Sequence, residues 1–514
     1  MTKTFFSLGC EHLSISKLFK ILDGEISLKF SDEAIAKVQK SKNCVDKVVK
    51  DGRVVYGVNT GFGVLCDKII SAKDTSELQA NLLKSHSVGV GEAIPQKVSK
   101  LMLITKAHAL AQGYSGVAVE TINRILWHIA EDIIPIVPQK GSVGASGDLA
   151  PLSHLFLPLI GLGEIIVKGE KWQTADFFKN NNIAPLALGP KEGLALINGT
   201  QFMASFGALG LYRFHHLLEQ ADIIAAMTLD ATASSTKPFD ARLHEIRPFA
   251  GNKLVAQRIS ALIKGSQINS AHHDCARVQD PYSLRCIPQI HGASRNAWLH
   301  VKEIIEIELN SVTDNPIVLN ENEIISGGGF HGQPIAMVLD YATLAAAELG
   351  NVADRRCYLM LEGKKYGLPA FLLEDAGLNS GFMIPQYTTA ALVSENKSLC
   401  FPASADSIPT SLGQEDHVSM GSISGRKFNM VLDNLEYIQA IELMYASQAL
   451  EFRRPERSSD VLEKAQKMVR DLVDFKKHDT VLYHDINALH GLITSFKLQK
   501  LAQQFNEKYQ DFIL

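Results

Sequence analysis

The run Gly141-Ser142-Val143-Gly144-Ala145-Ser146-Gly147-Asp148 gathers small residues, hydroxyls and a carboxylate in eight positions. A phosphate cradle would need the Lys-Ser/Thr end of a Walker A loop, which is missing. A serine nucleophile elbow would need glycine two positions after Ser146, where Asp148 stands, so G-x-S-x-G fails by one residue. Taken alone, the octapeptide fits a tight turn leading into a helix capped by Asp148. A covalent reading also fits. In Ala145-Ser146-Gly147 the unhindered Gly147 amide nitrogen can attack the Ala145 carbonyl carbon if the loop bends sharply, closing a five-membered ring. Loss of that carbonyl oxygen and of the Ser146 hydroxyl as two waters leaves a methylidene-imidazolone (MIO). No side chain is a comparable electrophile, so a protein needing one must bind a cofactor or make one.

Further loops rich in Gly, Ser, Pro and Asn carry other reactive types: YGVNTGFG (56–63), LINGTQ (196–201), QDPYSLRCIPQ (279–289), SGGGFHG (326–332) and GQEDHVSM (413–420). With GSVGASGDLAPLSH, these motifs and their order resemble the aromatic amino acid ammonia-lyase family, whose histidine, phenylalanine and tyrosine branches form MIO from an Ala-Ser-Gly triplet. The resemblance runs over essentially the whole chain. It implies removal of ammonia from an α-amino acid to give an α,β-unsaturated acid, with MIO made autocatalytically from Ala145-Ser146-Gly147 and no added organic cofactor. That reaction is difficult because the β-proton is barely acidic and an amine is a poor leaving group; the electrophile addresses the second difficulty.

The resemblance also implies roles. Tyr56 corresponds to the base that takes the β-proton; a phenol of pKa about 10 needs neighbouring donors or positive charge to serve near neutral pH. Tyr282 corresponds to a second active-site tyrosine, and Arg285 to the arginine whose planar fork pairs with the substrate carboxylate. Asn198 corresponds to an asparagine bonded to the MIO carbonyl region, Gln279 to a polar neighbour of the substrate, and Phe330 to an aromatic beside the MIO. The family usually has asparagine where Gly329 stands, so a side-chain amide near the site is missing here.

His86 and Glu415 decide the branch. His86 stands where phenylalanine-acting members carry an apolar residue, and Glu415 where the histidine branch has glutamate and the others generally glutamine. A carboxylate suits an imidazole in either protonation state, but would be buried unpaired against an apolar ring. The expected substrate is L-histidine and the products trans-urocanate and ammonia, the first step of histidine degradation. The alternatives are a tyrosine ammonia-lyase, an MIO-dependent aminomutase, or a non-catalytic scaffold that keeps the fold. Family members of this kind are homotetramers whose active sites combine loops from more than one subunit, so a homotetramer is expected.

The elements that must hold these loops are mostly helical. In NAWLHVKEIIEIELNSV, the residues Trp298, Val301, Ile305, Leu309 and Val312 recur at steps of three and four, with Lys302, Glu303 and Glu306 on other faces. Val338, Tyr341, Ala345, Leu349, Val352 and Leu359 form a second stripe, and Val431, Leu435, Ile438 and Ile441 a third. Residues 201–231 contain no proline and suit a central bundle helix. Strand signals are scarce; the best is a hairpin over 163–173 with Gly169 at its turn. The expected fold is mainly α: a loop-rich N-terminal domain over 1–200 carrying the MIO-forming loop, then a long helical bundle over 201–514.

Composition narrows the class. At 514 residues, with 46% hydrophobic and 21% charged, the chain reads as globular. Lys+Arg number 51 against 55 Asp+Glu, a net charge of −4 without a basic block, so no nucleic acid partner is expected. Seven cysteines without a CxxC pair read as reduced thiols, and no run approaches a membrane span, so a cytoplasmic protein without a membrane partner is expected. His272-His273-Asp274-Cys275 and Glu415-Asp416-His417 hold ligand atoms but lack HExxH or paired Cys/His spacing, so no catalytic metal is expected.

Overall fold

A computed structural model of the chain describes residues 4–61, 70, 74–271, 277–506 and 508–514. Gly63, Cys66 and His272-His273-Asp274-Cys275 lie outside the described residues. The fold is mainly α-helical, with an N-terminal region of loops and short strands followed by a bundle of long helices. Four helices carry most of that bundle: Gln201–Ala231, Ile287–Leu309, Gln333–Leu361 and Gly421–Glu451.

The apolar stripes lie where the spacing places them, with two departures. Trp298, Val301, Ile305 and Leu309 are buried, but the helix ends at Leu309, so Val312 falls in the turn beyond it. In the second stripe Val338, Ala345, Leu349, Val352 and Leu359 are buried, whereas Tyr341 is 46% exposed. The third stripe is fully buried. Helix Gln333–Leu361 is long and apolar enough to cross a membrane by length and composition alone, but 67% of its most apolar window is buried inside the protein, as in a core helix.

The chain forms two compact units: Met1–Leu209 with Lys302–Leu339 and Pro402–Arg426, and Gly210–Val301 with Asp340–Phe401 and Lys427–Leu514. In the first unit the hairpin Glu164–Val167 and Glu170–Gln173 turns through Lys168 (φ 52°) and Gly169 (φ 84°). Two successive positive φ values match the right-handed strand twist of a two-residue hairpin. Cys44, Val45 and Val48 of helix Asp32–Lys50 pack with Val58 and Val318 in a small core that anchors the chain two residues beyond Tyr56.

In the second unit, Trp298 Nε1 donates to the Leu211 carbonyl at 2.9 Å. A buried ionic cluster lies nearby in sequence: Arg295 meets Glu219 at 2.8 Å and Asp222 at 2.6 Å, and Arg258 meets the same acids at 3.0 and 2.9 Å. Buried charges persist only when paired in this way. The five described cysteines are all free thiols.

Candidate active site

A cavity of about 980 Å³ opens in the first unit and collects residues from seven separate stretches. Tyr56, His86, Ala145, Ser146, Asn198, Phe330 and Glu415 all line it. Gly147 sits directly behind Ser146, bridged to Gly199.

The Ala145-Ser146-Gly147 loop is gripped on two sides. Ala145 packs against the buried Val418 and Met420, the Met420 N–H donates to Val143 O at 2.9 Å, and Ser422 Oγ donates to Ser142 O at 2.7 Å. Opposite, Asn198 Nδ2 donates to Ser146 O at 2.7 Å and the Gly199 N–H to the same oxygen at 3.4 Å. Gly144 (φ 72°) and Gly147 (φ 76°) take left-handed conformations. A Cβ at Gly147 would lie 2.1 Å from the Gly199 carbonyl oxygen, so only glycine lets the chains approach this closely.

Asp148 behaves differently from the expected cap. It stands at the N-cap of helix Leu149–Phe156, but its side chain makes no capping bond. The fully buried carboxylate instead accepts from Ser142 Oγ and the Met203 N–H, both at 3.0 Å, tying the loop to helix Gln201–Ala231. Burial pushes its pKa up to about 7 against the pull of those donors.

Tyr56 is presented by a loop that Asn59 braces: its Oδ1 accepts from the Val55 N–H at 2.9 Å and its Nδ2 donates to Arg53 O at 2.8 Å. His86 ends helix Thr75–His86, with Nδ1 2.9 Å from the Leu82 carbonyl. Burial lowers its pKa, opposed by that carbonyl and by the charge of Glu415. Glu415 Oε1 accepts from Ser146 Oγ and Oε2 from Thr410 Oγ1, both at 2.9 Å. At Gly329 an added Cβ would meet only the Val312 carbonyl at 3.6 Å, so its backbone leaves room for a side chain.

Gln279, Tyr282 and Arg285 belong to the second unit and do not line this cavity. Gln279 is exposed, and Tyr282 is 68% exposed on the short helix Tyr282–Arg285. The Arg285 guanidinium lies over the Tyr282 ring, 4.6 Å from its centre, a cation–π contact that orders both. Among the described residues, no cluster of three or more His, Cys, Asp or Glu side chains is arranged to hold a metal ion.

The cavity also brings in residues that motif reading missed. Asn315 accepts from the Gly327 N–H at 2.6 Å and donates to Ser326 Oγ at 3.0 Å, and His331 Nε2 lies 3.2 Å from the His417 carbonyl. Asn315 lies in the polar TDNP turn that follows an amphipathic helix, a signal visible in the sequence.

The Ala145-Ser146-Gly147 residues fit an MIO. The oxygen that would become the ring carbonyl already accepts from Asn198, and Gly144 and Gly147 take the left-handed backbone of a sharply bent loop. Among the described residues, buried Asn198 Oδ1 has no hydrogen-bond partner.

Comparison with known proteins agrees with this geometry. The family profile described as aromatic amino acid lyase matches residues 13–471. The histidine ammonia-lyase of Natranaerobius thermophilus is 45% identical over 492 residues, covering 95% of this chain and 96% of that protein. The one from Caldanaerobacter subterraneus is 42% identical over 494 residues, covering 96% and 97%. Among solved structures, histidine ammonia-lyase from Trypanosoma cruzi superposes with a TM-score of 0.91 at 38% identity, covering 99% of this chain and 97% of that one. Tyrosine aminomutase from Streptomyces globisporus gives 0.92 at 35% identity, covering 98% and 99%. The fold thus does not separate the branches, but the extent of these matches shows that this chain belongs to the aromatic amino acid lyase family.

Proposed function

We propose that this cavity carries out the non-oxidative deamination of L-histidine, releasing trans-urocanate and ammonia. The observation that carries the reading is the placement of Glu415 and His86 around Ser146. Glu415 and His86 both line the cavity, and the Glu415 carboxylate lies 2.9 Å from Ser146 Oγ. An apolar substrate ring would offer that carboxylate nothing to pair with, whereas an imidazole pairs with it in either protonation state.

The MIO that Ala145, Ser146 and Gly147 would form supplies an electrophile that draws electron density out of the substrate C–N bond. The chain's side chains do the rest. Tyr56 takes the β-proton on its phenolic oxygen, and Glu415 and His86 orient the substrate imidazole, Glu415 also exchanging a proton with it. Phe330, which lines the cavity, would pack beside the MIO. Asn198 holds the Ser146 carbonyl oxygen through the bond it already makes.

Arg285 binds the substrate carboxylate, and Tyr282 and Gln279 orient the amine end. As the family resemblance implies for a homotetramer, these three reach the site from another copy. The exposed positions of Gln279 and Tyr282 support that reading. Size-exclusion chromatography with light scattering tests the assembly, with four copies expected. Mixing Tyr56→Phe with Arg285→Ala protein after dissociation and reassembly tests the sharing of sites. Partial recovery of activity is expected, and its absence would contradict shared sites. The activity itself is tested by incubation with L-histidine, following urocanate and ammonia.

A further inference from the structure

Lys106 stands in LMLITKAHALA of helix Gln96–Ala111, the one cation in an otherwise apolar turn, and is 1% exposed. Burying an ammonium costs several kcal/mol unless something compensates it. Among the described residues no carboxylate forms an ion pair with it. Asp314, the nearest acid in charge terms, is engaged by Lys191 and by Ser115 Oγ, each at 2.6 Å. Lys106 Nζ instead donates to the Asn198 carbonyl oxygen at 2.6 Å and lies 3.5 Å from Gln201 Oε1. Burial lowers its pKa to about 7, opposed by Asp314 and Asp148.

The peptide it touches is the one that faces the reactive loop. The carbonyl of the Asn198–Gly199 peptide accepts from Lys106, and the N–H of the same peptide donates to Ser146 O at 3.4 Å. The Asn198 side chain donates to that oxygen at 2.7 Å, and Gly199 O accepts the Asp148 N–H at 2.7 Å. A positive charge on the carbonyl side of a peptide polarises its N–H, so the charge of Lys106 is relayed to Ser146 O through one amide group. A neutral amide or hydroxyl would satisfy the Asn198 carbonyl at lower desolvation cost. A cation is useful where negative charge develops, and preorganised donors in a dry site act most strongly there.

We propose that Lys106 is a positioning residue for the self-processing of the chain, its charge promoting the dehydration of Ser146. This rests on the reading of Ala145-Ser146-Gly147 as an MIO-forming triplet. Removal of the Ser146 Cα proton by cavity water sends the electron pair onto Ser146 O as an enolate, which the Asn198 side chain and the Lys106-polarised Gly199 N–H stabilise. The pair returns to form Cα=Cβ, the Cβ–Oγ bond breaks, and the hydroxyl leaves as water with the proton taken from Cα, passed on through the Glu415 carboxylate that Oγ already contacts at 2.9 Å. The net change is loss of one water, with nothing oxidised or reduced.

The test follows intact mass with time after cell-free synthesis of the full chain, with folding checked by circular dichroism and thermal melting. Wild type, Lys106→Met, Lys106→Gln and Lys106→Arg are compared. Gln keeps a donor within reach of Asn198 without charge, and guards against a Met variant that does not fold. Folded Met and Gln variants should lose the Ser146 water about tenfold more slowly, and Arg should restore a rate within about threefold of wild type. A neutral variant that folds and dehydrates at the wild-type rate, or an Arg variant that folds but stays as slow as Met, would overturn the proposal. A wild-type chain that never loses water would instead refute the reading of the triplet, which keeps the two failures apart.

Discussion

Glu415 Oε1 accepts the hydroxyl of Ser146 at 2.9 Å, joining two loops 269 residues apart in sequence. Its other oxygen accepts Thr410 Oγ1, and the Thr410 N–H donates to the Glu415 carbonyl at 2.9 Å, so the segment from 410 to 415 is folded back on itself at the cavity wall. The carboxylate is thus shared between loop geometry and substrate chemistry.

Glu415→Gln separates those two contributions. Glutamine keeps the size and one acceptor oxygen but cannot exchange a proton or pair with a charged imidazole. Turnover of L-histidine should fall by about 10²–10⁴-fold, the usual worth of a positioned acid or base. Stability should change by under about 1 kcal/mol, because the side chain is only half-buried. Steady-state kinetics and thermal melting on the same preparation check this; a melting temperature that collapses with the rate would assign Glu415 to structure alone.

Gly147→Ala tests the close approach behind Ser146. A residue with a Cβ at φ 76° is strained, and that Cβ would lie 2.1 Å from Gly199 O and 2.5 Å from its carbonyl carbon, neither of which can swing aside as a side chain would. The expected loss is at least about 2 kcal/mol in denaturant unfolding, and intact mass should show a chain that keeps both waters. An alanine variant of wild-type stability would mean the loop does not need this approach.

Legibility of the chain followed physical range. Local periodicity placed Trp298, Val301, Ile305 and Leu309 on a buried face because a helix obeys a short-range rule, yet it overran to Val312, where the same spacing continues into a turn. The hairpin at Gly169 was readable because two positive φ values demand a recognisable turn. Asp148 does stand at the helix N-cap, but sequence cannot tell that its carboxylate turns away toward Ser142 and Met203. Motif order brought forward Tyr56, His86, Asn198, Phe330 and Glu415, which share a cavity only through long-range packing. Lys106 went unnoticed because a lone lysine on an apolar helix ordinarily carries its charge out to solvent, and only the tertiary structure closes that route.

His86→Leu examines the choice of substrate ring. Burial lowers the His86 pKa, so the imidazole is neutral at pH 7 and can exchange a hydrogen bond with a substrate ring. Its loss should lower kcat/KM for L-histidine by at least about tenfold, since a site built around a hydrogen bond discriminates strongly when that bond is removed. The relative rate on L-phenylalanine should rise. A panel of aromatic amino acids on the purified variant checks both directions.

Glu219 sets the acid limit of the second unit. Although burial pushes its pKa up, Arg258 and Arg295 outweigh it and hold the carboxyl down at about 2, against an ordinary 4.5. A carboxyl with a depressed folded-state pKa contributes stability above pH about 4.5, and that contribution is lost as pH falls toward 2. Glu219→Gln leaves two arginines short of a partner and should cost about 3–5 kcal/mol at pH 7. Urea unfolding at pH 7 and pH 3 should show a smaller gap between variant and wild type at the lower pH; an unchanged gap would contradict this linkage.

The most direct test of the central claim is a substrate panel on the purified wild-type protein, recording ammonia together with the unsaturated acid formed. L-histidine should yield equal amounts of ammonia and trans-urocanate, with far slower release from L-tyrosine and L-phenylalanine. Release from L-tyrosine alone, or a β-amino acid formed without net ammonia, would contradict the account.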